Sequence, residues 1–189
     1  MARNPERRTA LLDAAIEVLA DEGARGLTFR TVDVRAGVPV GTTSNYFASR
    51  DELLMQVGSH VYVRFVPDPA ELERAGTGPA TTDRFVRVMQ GVVARLVERR
   101  SVSLALLELR LEATRRPALQ RMLTDRVRDD LETNVAGHAE SGLPGDRSTV
   151  VMLFLALNGL VVDQLTLPGL HADRTTAELV DRVVRTALS

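Results

Sequence analysis

The sequence predicts an all-α protein. Apolar residues recur every three or four positions along almost the whole chain, which is the periodicity of helices with one buried face. Glycine and proline, the residues that most often interrupt helices, separate the segments that have this period. The chain has 189 residues and is 44% hydrophobic, so it can form a buried core. The pattern predicts about nine helices.

Four helices are predicted before residue 67. The first covers about 5–22, and its buried stripe is Leu12, Ala15, Ile16 and Leu19. Thr28 is a suitable N-cap for a second helix at about 29–36. A short polar helix at about 40–46 and a longer one at about 50–65 follow.

The rest of the chain is predicted to be a linker and five helices. Residues 67–82 hold three prolines and two glycines, which favours a loop at a domain boundary near 66. The later helices are expected at about 83–100, 103–115, 117–140, 147–166 and 174–188. The helix at 147–166 is too apolar to face water, and its apolar run is shorter than the roughly 20 residues that a bilayer requires. A subunit contact suits it better than a membrane.

Composition excludes several classes of protein. The absence of cysteine excludes disulfides, zinc ribbons and thiol catalysis. The chain contains no Walker loop, dinucleotide glycine motif, HExxH or Cys/His cluster, so no enzyme activity, metal or cofactor is predicted. The formal net charge is -1, so any nucleic-acid contact has to come from a local basic patch. The first five residues do not have the pattern of a signal peptide.

The stretch from 28 to 54 is the most informative part of the chain. It reads as a helix, a tight turn at Ala36-Gly37-Val38, a short polar helix and a further helix. A short polar helix held between apolar helices is suited to the major groove of DNA. Between residues 25 and 50, four arginines stand against Asp33 alone, and Arg3, Arg7 and Arg8 could form an arm that reaches the DNA backbone. The same pattern also fits a three-helix packing element that binds no DNA.

The order of these motifs resembles the TetR family of bacterial transcriptional regulators. The resemblance covers about 8–54 and is carried by Gly23, Leu27-Thr28, Ala36-Gly37-Val38, Gly41-Thr42, Tyr46-Phe47 and Ser49-Arg50-Asp51-Glu52-Leu53-Leu54. It implies DNA contacts at Thr28, Arg30, Thr42, Thr43, Ser44, Asn45, Tyr46 and Arg50. Independently, asparagine can bind an adenine edge and a threonine methyl can touch a thymine methyl.

Two residues depart from the family pattern. Pro39 stands where the family usually has a Ser or Thr cap, so one hydrogen bond at the start of the recognition helix is expected to be lost. Asp33 stands where a small apolar residue is common. It is expected either to pair with a nearby arginine or to disturb the packing of the first helix.

The resemblance also implies how the chain is organised. It predicts a helix-turn-helix domain at 1–49, a connecting helix at 50–66, and a domain at 67–189 that binds a small-molecule effector and forms a homodimer. The expected effector-lining residues are Met89, Val93, Leu107, Glu108, Leu111, Met122, Phe154 and Asn158. The expected dimer contacts are Val151, Leu155, Leu179 and Val183.

These inferences predict a cytoplasmic bacterial regulator that binds a pseudo-palindromic operator in double-stranded DNA and is released by an effector. Repression is the family's usual mode. The alternative is a helical scaffold that binds only protein and has no salt-dependent affinity for DNA.

Overall fold

The computed structural model describes residues 4–189, except for the side chains at 72 and 74–76. The described part is all-α, as predicted, and contains no strand. Its nine helices are α1 (Pro5–Gly26), α2 (Phe29–Arg35), α3 (Arg50–Phe65), α4 (Pro69–Gly76), α5 (Thr82–Glu98), α6 (Arg100–Ala113), α7 (Pro117–Ser141), α8 (Arg147–Thr166) and α9 (Thr176–Ala187). A single 3-10 turn, Thr43–Asn45, lies between α2 and α3.

The chain forms two compact units. The first combines residues up to 66 with residues 99–125, and the second combines residues 67–98 with residues 126–189. The break at 66 coincides with the predicted boundary. Residues 99–125 differ from the prediction, because they pack with the N-terminal helices and not with the C-terminal part of the chain.

The core of the first unit forms around α1. The predicted stripe of this helix is buried, with Ala15 and Leu19 at 0% exposure. α2, α3 and α6 pack on α1, and α6 also packs on α3. Residues 103–115, most of which lie in α6, are apolar around much of the helix circumference, which gives α6 faces for both neighbours. Because packing and not chain position decides where such a helix is buried, α6 belongs to this unit.

The second unit contains α4, α5, α8, α9 and the later part of α7. α5, α8 and α9 pack on one another, with Val93, Leu153, Val180 and Val184 buried. α4 lies in the segment that was predicted to be a linker. The N–H of Glu71 donates to the Asp68 side chain at 2.7 Å and the N–H of Asp68 donates to the Glu71 side chain at 3.2 Å, which is a capping box. Pro69, one of the three prolines that favour a loop in the sequence, occupies the first helical position, where proline is favourable.

Candidate DNA-binding surface

A hydrogen-bonded cap fixes the start of α2. The hydroxyl of Thr28 accepts from the N–H of Thr31 at 3.1 Å, and the hydroxyl of Thr31 accepts from the N–H of Thr28 at 2.9 Å. These bonds satisfy donors that the first turn of a helix otherwise leaves without partners. Thr28 and Arg30 are both exposed at this end of α2, so both remain accessible to a ligand.

The predicted third helix is shorter than expected. Residues 40–42 form a turn and Thr43–Asn45 form the 3-10 turn, where the sequence predicted a helix over 40–46. We call residues 40–46 the recognition segment. No side-chain hydrogen bond caps the 3-10 turn at Thr42. The residue that flanks this turn is Thr42 and not Pro39, so the loss of a cap through Pro39 stays a prediction.

Asp33 on α2 replaces the missing cap. Its side chain is 1% exposed, and its two oxygens accept from the N–H groups of Gly41 and Thr43, each at 2.7 Å, and from the Thr43 hydroxyl. The expected arginine partner is therefore wrong, because the carboxylate bonds to the recognition segment. A buried carboxylate requires such donors, and the segment gains fixed anchoring to α2.

The outer side of the recognition segment is polar. Ser44 and Asn45 are exposed, and both side chains donate to the carbonyl of Gly41, at 2.7 Å and 3.2 Å. The half-exposed Thr42 donates its hydroxyl to the carbonyl of Pro39 at 2.6 Å. These bonds hold the three side chains against the backbone, so the segment presents a defined edge to its surroundings.

The inner side of the recognition segment belongs to the core. Thr43 and Phe47 are 0% exposed and Tyr46 is 9% exposed. Thr43 therefore has no accessible surface for the DNA contact that its place in the motif predicted. Residues three apart in a 3-10 turn lie on the same side, which explains why Thr43 and Tyr46 both turn inward.

The arginines near the N-terminus do not form a free arm within the described residues. Arg7 and Arg8 lie in the first two turns of α1, while Arg3 lies outside the described residues. Arg8 donates to the carbonyl of Tyr46 at 3.2 Å, and its guanidinium lies 4.8 Å from the centre of the Phe47 ring. It therefore holds the end of the recognition segment against α1, partly through a cation–π contact.

Arg50 is bonded to backbone carbonyls. Its Nε donates to the carbonyl of Leu27 at 2.9 Å, and its Nη2 donates to the carbonyl of Ala24. The N–H of Ala24 in turn donates to the Glu108 carboxylate at 3.1 Å. Through Ala24, the end of α1 is hydrogen-bonded both to Arg50, the first residue of α3, and to Glu108 of α6. The phosphate contact predicted for Arg50 would compete with these two bonds.

The arginines of α1 and α2 differ in how they are paired. Arg35 forms ion pairs with Asp21 at 2.7 Å and with Glu22 at 3.4 Å. The exposed Arg25 and Arg30 form no ion pair among the residues that the structure describes. The positive charge available to an anionic ligand on this side therefore comes chiefly from Arg25 and Arg30.

Four of the predicted effector-lining residues lie in the first unit. Glu108 accepts the bond from Ala24, and the Met122 methyl group lies beside Gly58 of α3. Leu107 is half-buried and Leu111 is 58% exposed. Glu108 and Met122 therefore both have partners inside the first unit, and the half-buried Glu108 carboxylate accepts a backbone hydrogen bond there.

The other four lie in the second unit. Val93 is 1% exposed on α5, while Met89, Phe154 and Asn158 are half-buried. The Asn158 side chain donates to the carbonyl of Phe154 at 2.6 Å, one turn earlier on α8. Its polar group is thus satisfied within its own helix.

The predicted dimer residues lie on α8 and α9. Leu155 is 61% exposed, whereas Val151, Leu179 and Val183 are half-buried. α8 has a mean hydropathy of 1.7 over its most apolar window, yet only 33% of that window is buried. It is long and apolar enough to cross a membrane by length and composition alone, which is weak evidence for a membrane span.

Neither a metal centre nor a strongly charged ligand cleft is evident among the described residues. The described residues contain no cluster of three or more His, Cys, Asp or Glu side chains that could hold a metal ion. An open cleft of about 260 Å³ lies between the start of α3 and the turn from α6 to α7. Its two arginines, Arg115 and Arg116, already pair with Glu112, so the cleft offers a ligand little free charge.

Comparison with known proteins identifies the family. The profile described as "Bacterial regulatory proteins, tetR family" matches residues 11–57, and that described as "Tetracyclin repressor-like, C-terminal domain" matches residues 80–189. The chain belongs to the TetR family. The chain is also similar to the HTH-type transcriptional regulator BetI 1 of Chromohalobacter salexigens, with 27% identity over 97% of this chain and 91% of that protein.

Solved TetR-family structures share the fold. A putative TetR-family regulator from Rhodococcus sp. superposes with a TM-score of 0.71 over 98% of this chain and 100% of its own, at 23% identity. The multidrug binding protein EbrR, solved with imidazole, superposes with a TM-score of 0.65 at 27% identity, over 98% of this chain and 92% of its own. Membership of the TetR family makes this chain a DNA-binding regulator of transcription.

The sequence missed two residues that organise the site. Asp33 was noticed as unusual, but its partners are backbone N–H groups, which carry no sequence signal. Glu108 is predicted from the sequence to line the effector site. Its partner, the N–H of Ala24, is 84 residues away and becomes evident only in the folded chain.

Proposed function

We propose that the protein is a repressor that binds a pseudo-palindromic operator as a homodimer and leaves it when a small molecule binds. The observation that carries the DNA-binding part is the recognition segment: its inner side is anchored by the buried Asp33, while Ser44 and Asn45 are exposed. An anchored backbone with an exposed polar edge is what reading a major groove requires. The proposal includes a location in the bacterial cytoplasm, where an operator would be accessible.

The proposed DNA contacts fall into two groups. Thr28 and Arg30, at the exposed start of α2, suit phosphates. Thr42, Ser44 and Asn45 suit base edges, since hydroxyl and amide groups bind bases in the major groove. The exposed edge of Tyr46 and the guanidinium of Arg50 can join them only if their present packing and hydrogen bonds loosen. Thr43 is not among the proposed DNA contacts, because it is buried.

The homodimer is supported by the apolar surface of α8. Met152 is 57% exposed and Leu155 is 61% exposed on a helix whose apolar window is mostly uncovered. Large exposed apolar patches usually mark protein interfaces. A two-fold dimer would place two recognition segments about 34 Å apart, one turn of DNA, on a pseudo-palindromic site.

Binding of an effector is supported by the relative that was solved with a small molecule. EbrR is described as a multidrug binding protein in complex with imidazole. We assign Met89, Val93, Phe154 and Asn158 as the candidate contacts in the second unit. Leu107, Glu108, Leu111 and Met122 stay candidates in the first unit, and the bond from Ala24 would then have to break before Glu108 contacts an effector.

The test begins with selection of DNA from a random pool by the purified full-length protein. We expect one enriched site with two related half-sites, and an affinity for it that falls steeply as salt concentration rises. If no sequence is enriched, with or without candidate effectors, the regulator is refuted and the protein-binding scaffold is favoured.

A variant pair tests the proposed phosphate contact. Arg30→Ala should weaken binding to every DNA sequence and reduce the salt slope by about one. Arg182→Ala removes an exposed arginine from α9 and should leave both quantities unchanged. Equal slopes for wild type and Arg30→Ala would remove Arg30 from the contact set.

A further inference from the structure

We infer that Val40 reads the 5-methyl group of a thymine in each operator half-site. The inference deepens the proposed function and depends on it. Val40 is 71% exposed and is the first residue of the recognition segment. An isolated exposed valine would need no explanation. This one lies on the element that is proposed to enter the major groove.

The composition of the recognition segment limits how it can read bases. Residues 40–46 contain no arginine, lysine or glutamine. The commonest specific contact, a paired bond from arginine to guanine, is therefore not available to this segment. Discrimination has to come from small polar groups and from apolar contact.

The small polar side chains of the segment already donate hydrogen bonds to nearby backbone carbonyls. Thr42 donates to the carbonyl of Pro39, and Ser44 and Asn45 donate to the carbonyl of Gly41. Without rearrangement Thr42 and Ser44 present acceptor oxygen, and Asn45 presents its amide oxygen and its second N–H. The methyl groups of Val40 are the apolar counterpart on the same segment.

The packing directs Val40 outward. Asp33 bonds the N–H groups of Gly41 and Thr43 from the inner side, where Thr43 and Phe47 are buried. Ser44 and Asn45 gather at the carbonyl of Gly41, the residue next to Val40. Val40 therefore lies at the end of the exposed polar edge. The first residues of a recognition helix are those that meet base edges.

Thymine is the base that offers a partner to valine. Its C5-methyl group projects into the major groove, whereas the other three bases carry no methyl group there. Contact between the two removes apolar surface from water on both sides. The operator is thus inferred to carry a thymine at a fixed position in each half-site, and the protein to distinguish it from a base that lacks the methyl group.

The experiment replaces each thymine of the selected operator by uracil, which lacks only the 5-methyl group. For the wild-type protein, one such replacement in a half-site should weaken binding about four-fold, the effect of one buried methylene-sized group. Replacement in both half-sites should weaken it on the order of 15-fold, since the two losses multiply. Val40→Ala should show a smaller difference between the thymine and uracil operators, because alanine offers less apolar surface to the methyl group.

Val34→Ala is the matched control. Val34 is 68% exposed on α2, outside the recognition segment, so this variant should keep the wild-type ratio of thymine to uracil affinity. Both side chains are exposed, and unchanged melting temperatures will verify that the variants fold.

Three results would overturn the inference. The wild type could bind thymine and uracil operators equally at every position, Val40→Ala could retain the wild-type ratio, or Val34→Ala could lose it. None of these results contradicts the proposed function, because the experiment begins with an operator that the protein has already selected. Absence of any enriched site is a different result, which refutes the proposed function and this inference with it.

Discussion

Asp33 shows how a buried charge can define a functional surface. Its carboxylate makes its three hydrogen bonds with Gly41 and Thr43 while only 1% of the residue is exposed. Hydrogen bonds to a charged acceptor are stronger than those between neutral groups, and removing one partner leaves buried donors unsatisfied. The shape of the recognition segment therefore depends on one side chain of the preceding helix.

Asp33→Asn should destabilise the protein by about 2–3 kcal/mol and weaken operator binding, since an amide has one acceptor oxygen where the carboxylate used two. Urea unfolding and operator titration at neutral pH measure the two effects. The control is Asp21→Asn, which removes one exposed partner of Arg35 and should cost little. If the two variants prove equally stable, Asp33 does not anchor the segment.

A second carboxylate joins α1 to the end of α3. Asp13 accepts from the ring of His60 at 2.8 Å and from Arg64 at 2.7 Å. Burial alone would raise the pKa of Asp13, but the hydrogen bonds and positive charges of Arg64 and His60 outweigh it and lower the pKa below its usual 3.8. A lowered folded-state pKa means that the cluster stabilises the fold above pH 3.8 and that this contribution is lost as pH falls through the folded-state value.

Asp13→Asn should therefore be less stable than wild type at pH 7, by about 1 kcal/mol or less because the carboxylate is 38% exposed and screened by solvent. The difference should shrink as pH falls below 3.8. Urea unfolding of both proteins at several pH values gives the curve. A difference that stays constant with pH would assign the cost to shape and not to charge.

The sequence could locate the candidate segment but not the contacts of every residue in it. The order of motifs locates the recognition segment. Its residues Ser44 and Asn45 are exposed, as a contact with DNA requires. The inward turn of Thr43 was missed, since a helix was expected and the segment forms a tighter 3-10 turn. The partners of Arg50 and Glu108 are backbone groups, which look alike at every position of a sequence.

The bend in α1 lies next to the hydrogen bonds that join α1 to α3 and α6. Gly23 has φ 68° and ψ -178°, and α1 continues from there to Gly26. A Cβ at Gly23 would lie 3.3 Å from the Glu108 carboxylate. Both the backbone conformation and the close approach favour glycine, so the bend and its contact with α6 depend on this residue.

Gly23→Ala should destabilise the protein by about 1–2 kcal/mol, because positive φ strains alanine. Gly91→Ala is the matched control: Gly91 lies within α5 and its added Cβ would meet nothing within 4 Å. It should stabilise the protein by about 0.5–1 kcal/mol through helix propensity. Thermal unfolding of the two variants gives the signs, and a stable Gly23→Ala protein would show that the bend can relax.

Periodic helices could be predicted better than caps and tight turns. α3, α7 and α8 lie close to their predicted ranges, because long apolar patterns define them. α4 was missed because its prolines and glycines resembled a loop, although the Asp68–Glu71 capping box was present in the sequence. Short elements depend on caps more than on apolar period.

Self-association is the property of the whole molecule that its surface predicts. Leu155→Arg places a charge at a residue that is 61% exposed on α8, and we expect a monomer that has lost most of its operator affinity. Sedimentation velocity distinguishes monomer from dimer. Val63→Arg, at a residue that is 62% exposed on α3, should remain a dimer. A dimeric Leu155→Arg protein would exclude this part of α8 from the interface.

Domain organisation was the hardest property to predict for the chain as a whole. The composition of residues 67–82 predicts a boundary near 66. The first of the two segments that form the first unit ends at residue 66. Composition does not show that residues 99–125 pack in the first unit, because α6 is apolar like any core helix. Contacts between distant parts of the chain decide such an arrangement.

The return of α6 has a practical consequence for chimeric regulators. A DNA-binding head cut after residue 66 would lack the helix that covers α1, together with Glu108, which holds Ala24, and Ser101, which bonds Glu17 at 2.9 Å. Such a fragment would expose apolar surface and aggregate. A functional exchange between two regulators would have to transplant residues 99–125 along with the head, as two pieces inserted into the recipient.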